Sequence, residues 1–135
     1  MSSLTTFLAK LIGLYCVLIA LTMFVNKDLM IAAAGTLPQN AAVLVLSGVF
    51  ALFFGLAIVL AHNVWSGGVL PVVVTVIGWA SLLKGVTLLA LPADRQQAYV
   101  AALHYADYAY PYAVVTLLVG VYLTYAGFTA TTRRE

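Results

Sequence analysis

The chain has 135 residues, of which 64% are hydrophobic and 7% charged. Soluble domains carry about 25% charged residues, so water is the wrong solvent for most of this surface. Six basic residues spread over the chain, with a net charge of +2, exclude a patch able to neutralise nucleic-acid phosphates.

Four apolar runs follow in chain order, at about 5–25, 40–61, 69–91 and 110–128. Each is long enough for a hydrocarbon core of about 30 Å, which takes roughly 20 helical residues. Strands are a poor alternative, because an open edge leaves backbone groups unpaired in hydrocarbon and no dyad alternation points to a barrel. The expected fold is an all-α membrane protein: one domain, a bundle of four transmembrane helices, with a short interfacial helix in the 92–109 loop.

The first run holds Lys10 and the only cysteine, Cys16. A lone thiol excludes an intramolecular disulfide and reads as a small apolar filler. The run is long for a signal-peptide core and no A-x-A site follows closely, so it reads as a retained helix. Residues 26–39 (NKDLMIAAAGTLPQ) read as a short interfacial segment broken by Gly35 and Pro38.

The second run carries Ser47, Ala51 and Gly55 in a small-xxx-small row, and Gly48 lies seven residues before Gly55. The third repeats that spacing at Gly78 and Gly85, with Thr75 on a looser version of the same face. A seven-residue step slips only about 20° around a helix. Small residues let membrane helices approach closely, so these positions are expected helix-packing sites. The order is a mirror, since Gly13-Leu14-Tyr15 echoes Gly120-Val121-Tyr122; a duplicated inverted repeat would instead pair the first run with the third.

Between the second and third runs, HNVWSGG (62–68) reads as a tight hairpin. His62 complements a helix C-terminal dipole, Asn63 tolerates the left-handed cap conformation, and Trp65 belongs at headgroup level. Lys84 stands inside the third run, eight residues before Pro92, or about 12 Å at 1.5 Å per residue. A lysine in a membrane helix costs at least about 2.5–3.5 kcal/mol on insertion scales. The expected resolution is a snorkelling ammonium that pairs with Asp28, Asp94 or Asp107; the alternative is a contact for an anionic solute or headgroup.

The 92–109 stretch reads as a surface helix rich in tyrosine, with Tyr99, Tyr105 and Tyr108 leading to Tyr110 and Tyr112. His104 and Asp107, spaced i, i+3, would share one face of such a helix. Two ligands make a weak metal site, so neither metal nor other cofactor is expected. His62 and His104 fall on opposite membrane faces and cannot clamp one haem within a chain.

No G-x-S-x-G, Walker, C-x-x-C, H-E-x-x-H or Rossmann pattern appears. The four runs contain no Asp or Glu, the residues that usually relay protons in an exporter. The expected function is therefore non-enzymatic: an accessory or assembly subunit, or a homo-oligomer, whose partners are the bilayer and other membrane helices. A small channel or transporter for an anionic or amphiphilic solute, using Lys84, is the runner-up. A sensor or enzyme built on His104, Asp107 and the loop tyrosines comes third. Lys10, Arg133 and Arg134 against Lys27 and Arg95 place both termini in the cytoplasm of a bacterial inner membrane by the positive-inside rule.

Overall fold

The computed structural model describes residues 2–36, 39–104 and 107–132. Within them it is all-helical, with α1 (Ser3–Val25), α2 (Lys27–Thr36), α3 (Ala41–Ala61), α4 (Val69–Ala90), α5 (Ala93–Ala102) and α6 (Ala109–Thr132), and no strand. Four of these helices, α1, α3, α4 and α6, are long and apolar enough to cross a membrane. They coincide with the four apolar runs to within a few residues.

Local chemistry explains the boundaries. Ser2 caps α1, its hydroxyl accepting from the Thr5 amide at 3.2 Å. Asn40 caps α3 in the same way through the Val43 amide at 3.3 Å. Such side chains satisfy one of the orphan donors of a helix N-terminus. Gly67 and Gly68 take φ of 89° and 121°, a region that costs a residue with a Cβ, and they turn the chain from α3 into α4. Proline precedes α5 at Pro92, where its missing N–H is not needed.

Two expectations about the loops change. The 26–39 segment is more regular than its glycine suggested: α2 runs through Gly35, which lies in its last turn with open space around it. Pro38 falls outside the described residues. The surface helix of the second loop stops at Ala102, short of His104.

The long helices pack as two antiparallel pairs, α1 with α6 and α3 with α4. Both pairs close through glycine. A Cβ on Gly13 would stand 2.6 Å from the Thr124 amide nitrogen, and one on Gly120 would stand 2.8 Å from the Val17 nitrogen. In the other pair, a Cβ on Gly55 would stand 2.6 Å from Leu82 Cα and one on Gly85 2.6 Å from Leu52 Cα. The expected glycine faces do lie between α3 and α4, but glycine meets leucine backbone rather than glycine. Gly48 faces Leu88 and Leu89, and Gly78 faces Ile58. Ser47 and Ala51, half-buried, complete the row on α3.

The pairs join at the end that carries the 62–68 hairpin. There Leu8 and Ala9 of α1, Leu70 and Val74 of α4 and Leu123 of α6 form one buried cluster, with Ile12, Ile58 and Ile77 against it. At the opposite end, Leu44, Leu88 and Val100 bury together with Tyr99 and seat α5 on the α3–α4 pair. Also at that end, Lys27 Nζ lies 4.8 Å from the Tyr110 ring centre, and the Phe24 ring 6.5 Å from it.

Candidate functional site

The most ordered polar feature is a chain of hydrogen bonds at the hairpin end. His62 ends α3, its amide donating to the Ile58 carbonyl at 2.7 Å. Its ring is 2% exposed. Nε2 lies 2.8 Å from Thr5 Oγ1 on α1 and Nδ1 3.3 Å from Thr75 Oγ1 on α4. Ser2 Oγ is 2.7 Å from Thr5 Oγ1, and Thr75 Oγ1 accepts from the Val64 amide at 3.1 Å while lying 3.0 Å from the Pro71 carbonyl. One arrangement of protons satisfies all of them: Ser2 donates to Thr5, Thr5 to Nε2, Nδ1–H to Thr75, and Thr75 to Pro71. Buried polar groups of this kind rigidify a fold when fully paired. Both ring nitrogens are occupied, so this histidine holds three helices together and presents no lone pair to a ligand.

Next to it, Asn63 Oδ1 accepts from the indole of Trp65 at 2.7 Å and from that of Trp79 at 3.4 Å. Two amphipathic rings gathered on one amide fit a membrane–water boundary. The sequence singled out His62, Asn63 and Trp65 separately. It took Thr75 only as a packing position and missed Thr5 and Trp79, and the available signal was two threonines in the opening turns of helices that start at the same end.

Lys84 is exposed on α4 and makes no ion pair among the described residues. The expected pairing with Asp28, Asp94 or Asp107 is absent there, and all three carboxylates are exposed. Ile77, Ser81 and Lys84 follow at i, i+4, i+7, a single helix stripe. Ile77 packs into the cluster that joins the pairs, so Lys84 lies further along the α1-facing side of α4. The other lysine within a long apolar helix, Lys10, is half-buried and sits with Nζ 4.5 Å from the Phe128 ring centre.

His104 does not share a helix face with Asp107. It has φ 46° and follows the end of α5. Its carbonyl accepts from the amides of Asp107 and Tyr108, each at 3.0 Å, and its Nδ1–H donates to the Ala102 carbonyl at 2.8 Å. The Tyr108 ring lies edge-on at 6.4 Å. These bonds make His104 the corner between α5 and α6. Tyr105 lies outside the described residues. No group of three or more His, Cys, Asp or Glu side chains suited to a metal occurs among the described residues.

A further residue was not foreseen. Gln96 is 6% exposed, and its amide donates to the Leu91 carbonyl at 2.9 Å and to the Leu88 carbonyl. It satisfies carbonyls that a helix C-terminus leaves free and fastens α5 across the end of α4.

Compared with known proteins, the chain matches no family model, no curated protein and no solved structure.

Proposed function

We propose that the chain is an integral membrane protein whose four long helices cross the bilayer as one bundle, and that it works through helix contacts. It serves as a subunit of a membrane assembly or as a homo-oligomer, and it is not a catalyst. The supporting observation is how its cohesion is distributed. The glycine faces and the Ser2–Thr5–His62–Thr75 chain are all spent on joining the chain's own helices. The stripe of α1 beyond Ile12 is left uncovered, with Tyr15 64% and Ile19 40% exposed, and Lys84 is exposed on the α4 stripe beyond Ile77. Partner helices therefore meet the outer faces, not the glycine seams. Solubilisation in a mild detergent followed by native pull-down tests this reading. Co-purifying membrane proteins or a defined oligomer support it, and a solitary monomer across detergents refutes it.

We further take the membrane to be a bacterial inner membrane, and Lys10, Arg133 and Arg134 against Lys27 and Arg95 favour both termini in the cytoplasm. Membrane-impermeant maleimide should then label Gln97→Cys but not Ser66→Cys in intact cells, both in a Cys16→Ser background. The reverse pattern overturns the orientation. A second reading, flux of an anionic or amphiphilic solute, is favoured by the exposure of Lys84 within a span. It requires several copies around a shared path. Unchanged flux in Lys84→Ala proteoliposomes removes it.

A further inference from the structure

The geometry points to an anionic-phospholipid site on the flank between the two helix pairs, with the lipid phosphate on Lys84 and its acyl chains along the uncovered stripes of α1 and α4. It rests on the reading that the four long helices span a membrane. Helices α1 and α4 both start from the Thr5–His62–Thr75 link and run in the same direction. Tyr15 and Gly85 lie equally far from Thr5 and Thr75, about 15 Å along each helix, so Tyr15 and Lys84 stand at one level. Ile12, Tyr15 and Ile19 form one stripe of α1 (i, i+3, i+7), matching Ile77, Ser81 and Lys84 on α4. Ile12 and Ile77 close against the joining cluster, whereas Tyr15 and Ile19 are 64% and 40% exposed and Lys84 is exposed. Beyond that cluster, then, the flank carries the exposed Lys84 on α4 and the exposed Tyr15 and Ile19 on α1.

Depth and charge select the occupant. Lys84 is six residues short of the end of α4 at Ala90, about 9 Å. The Cα–Cβ bond of a helical residue tilts toward the N-terminus, here away from the near surface, so part of the stem's reach is lost in curling back. The ammonium thus stays just inside the apolar zone and needs a counter-charge brought to it. A second copy of this chain brings none at that depth, because the four long helices contain no Asp or Glu. A lipid phosphate is free to move at the headgroup level and is drawn toward such an ammonium by local thinning of the bilayer. Arg95, exposed in the first turn of α5 and next to the Gln96 that is bound to Leu88 and Leu91, adds a cation at the adjoining surface, partly offset by Asp94.

The test uses the full chain, extracted from membranes, exchanged into detergent with equal amounts of phosphatidylglycerol and phosphatidylcholine, and read by native mass spectrometry. The expected result is retention of phosphatidylglycerol over phosphatidylcholine. It should fall about fivefold in Lys84→Gln, return in Lys84→Arg, and persist in Lys10→Gln. Equal retention of both lipids, retention of neither, or undiminished phosphatidylglycerol binding in Lys84→Gln overturns the proposal. So does carbodiimide cross-linking of Lys84 to a carboxylate of another polypeptide. Release of the chain by alkaline carbonate is a separate failure, that of the membrane-spanning reading itself.

Discussion

The closest approach between α3 and α4 is the place where a single methyl group has the largest calculable effect. Gly55→Ala sets a Cβ 2.6 Å from Leu82 Cα and nearer still to the Leu82 nitrogen. The obstacle is backbone, so no rotamer change relieves it. Restoring an ordinary carbon–carbon separation of about 3.5–4.0 Å moves the helices roughly 1 Å apart. A gap of that size forfeits about a quarter to a half of the dispersion well for the neighbouring contacts, including those of Gly48, Gly78 and Gly85 along the same crossing. Overpacking of this kind costs about 1–3 kcal/mol; we expect the upper half of the range, a tenfold or greater rise in the unfolded-to-folded ratio. Gly35→Ala is the control, because no atom lies within 4 Å of its Cβ position and alanine gains up to about 1 kcal/mol in helix propensity. Reversible unfolding of both variants in mixed micelles, titrated with dodecyl sulfate, supplies the measurement. If Gly55→Ala unfolds at or above the wild-type midpoint, the glycine-mediated crossing is not what holds α3 to α4.

The same titration applies to the polar chain. His62→Ala leaves Thr5 and Thr75 without their ring partners and opens space at a 2%-exposed position, for a loss of about 2–4 kcal/mol; Thr5→Val should lose no more than about half as much, and equal losses would mean that the network is not centred on the imidazole. Gln96→Leu frees the Leu88 and Leu91 carbonyls, so amide exchange across 93–102 should accelerate by about five- to tenfold, for roughly 1–1.5 kcal/mol, with exchange in α1 unchanged. Phe128→Leu removes the ring beneath Lys10 and should destabilise by about 0.5–2 kcal/mol, an effect that disappears when Lys10→Met is already present.

The four long helices were legible because runs that long and apolar are the pattern of helices able to cross a membrane. The mirrored glycines were legible as a pattern without their cause. Antiparallel partners each need small residues where they cross, so Gly13 mirrors Gly120 for the same reason that Gly55 mirrors Gly85. The loops were less legible. Gly35 looked like a breaker, yet an exposed glycine near the end of a helix is tolerated, and only the cost of its entropy argues against it. His104 looked like a helix position because i, i+3 spacing says nothing about whether the helix continues. His62 was visible, but its partners were ordinary threonines, Thr5 being 57 positions away. Nothing separated Gln96 from Gln97, since facing α4 depends on the angle at which α5 leaves Pro92. Lys84 was visible, and the missing piece was that its stripe is the one that begins by packing on α1.

The pairing of α1 with α6 has a consequence for biosynthesis. On the proposed membrane-spanning reading, a chain inserted from its N-terminus completes the α3–α4 pair as soon as the hairpin has passed the insertion machinery, but α1 must wait until α6 emerges. During that interval the Gly13 groove is open and Lys10 lacks the Phe128 ring. We predict that a chain ending at residue 102 keeps a folded α3–α4 pair while α1 becomes a target for membrane proteases and holding chaperones. Pulse labelling of full-length and shortened chains measures this directly, and equal lifetimes of the two would show that the first span does not depend on the last.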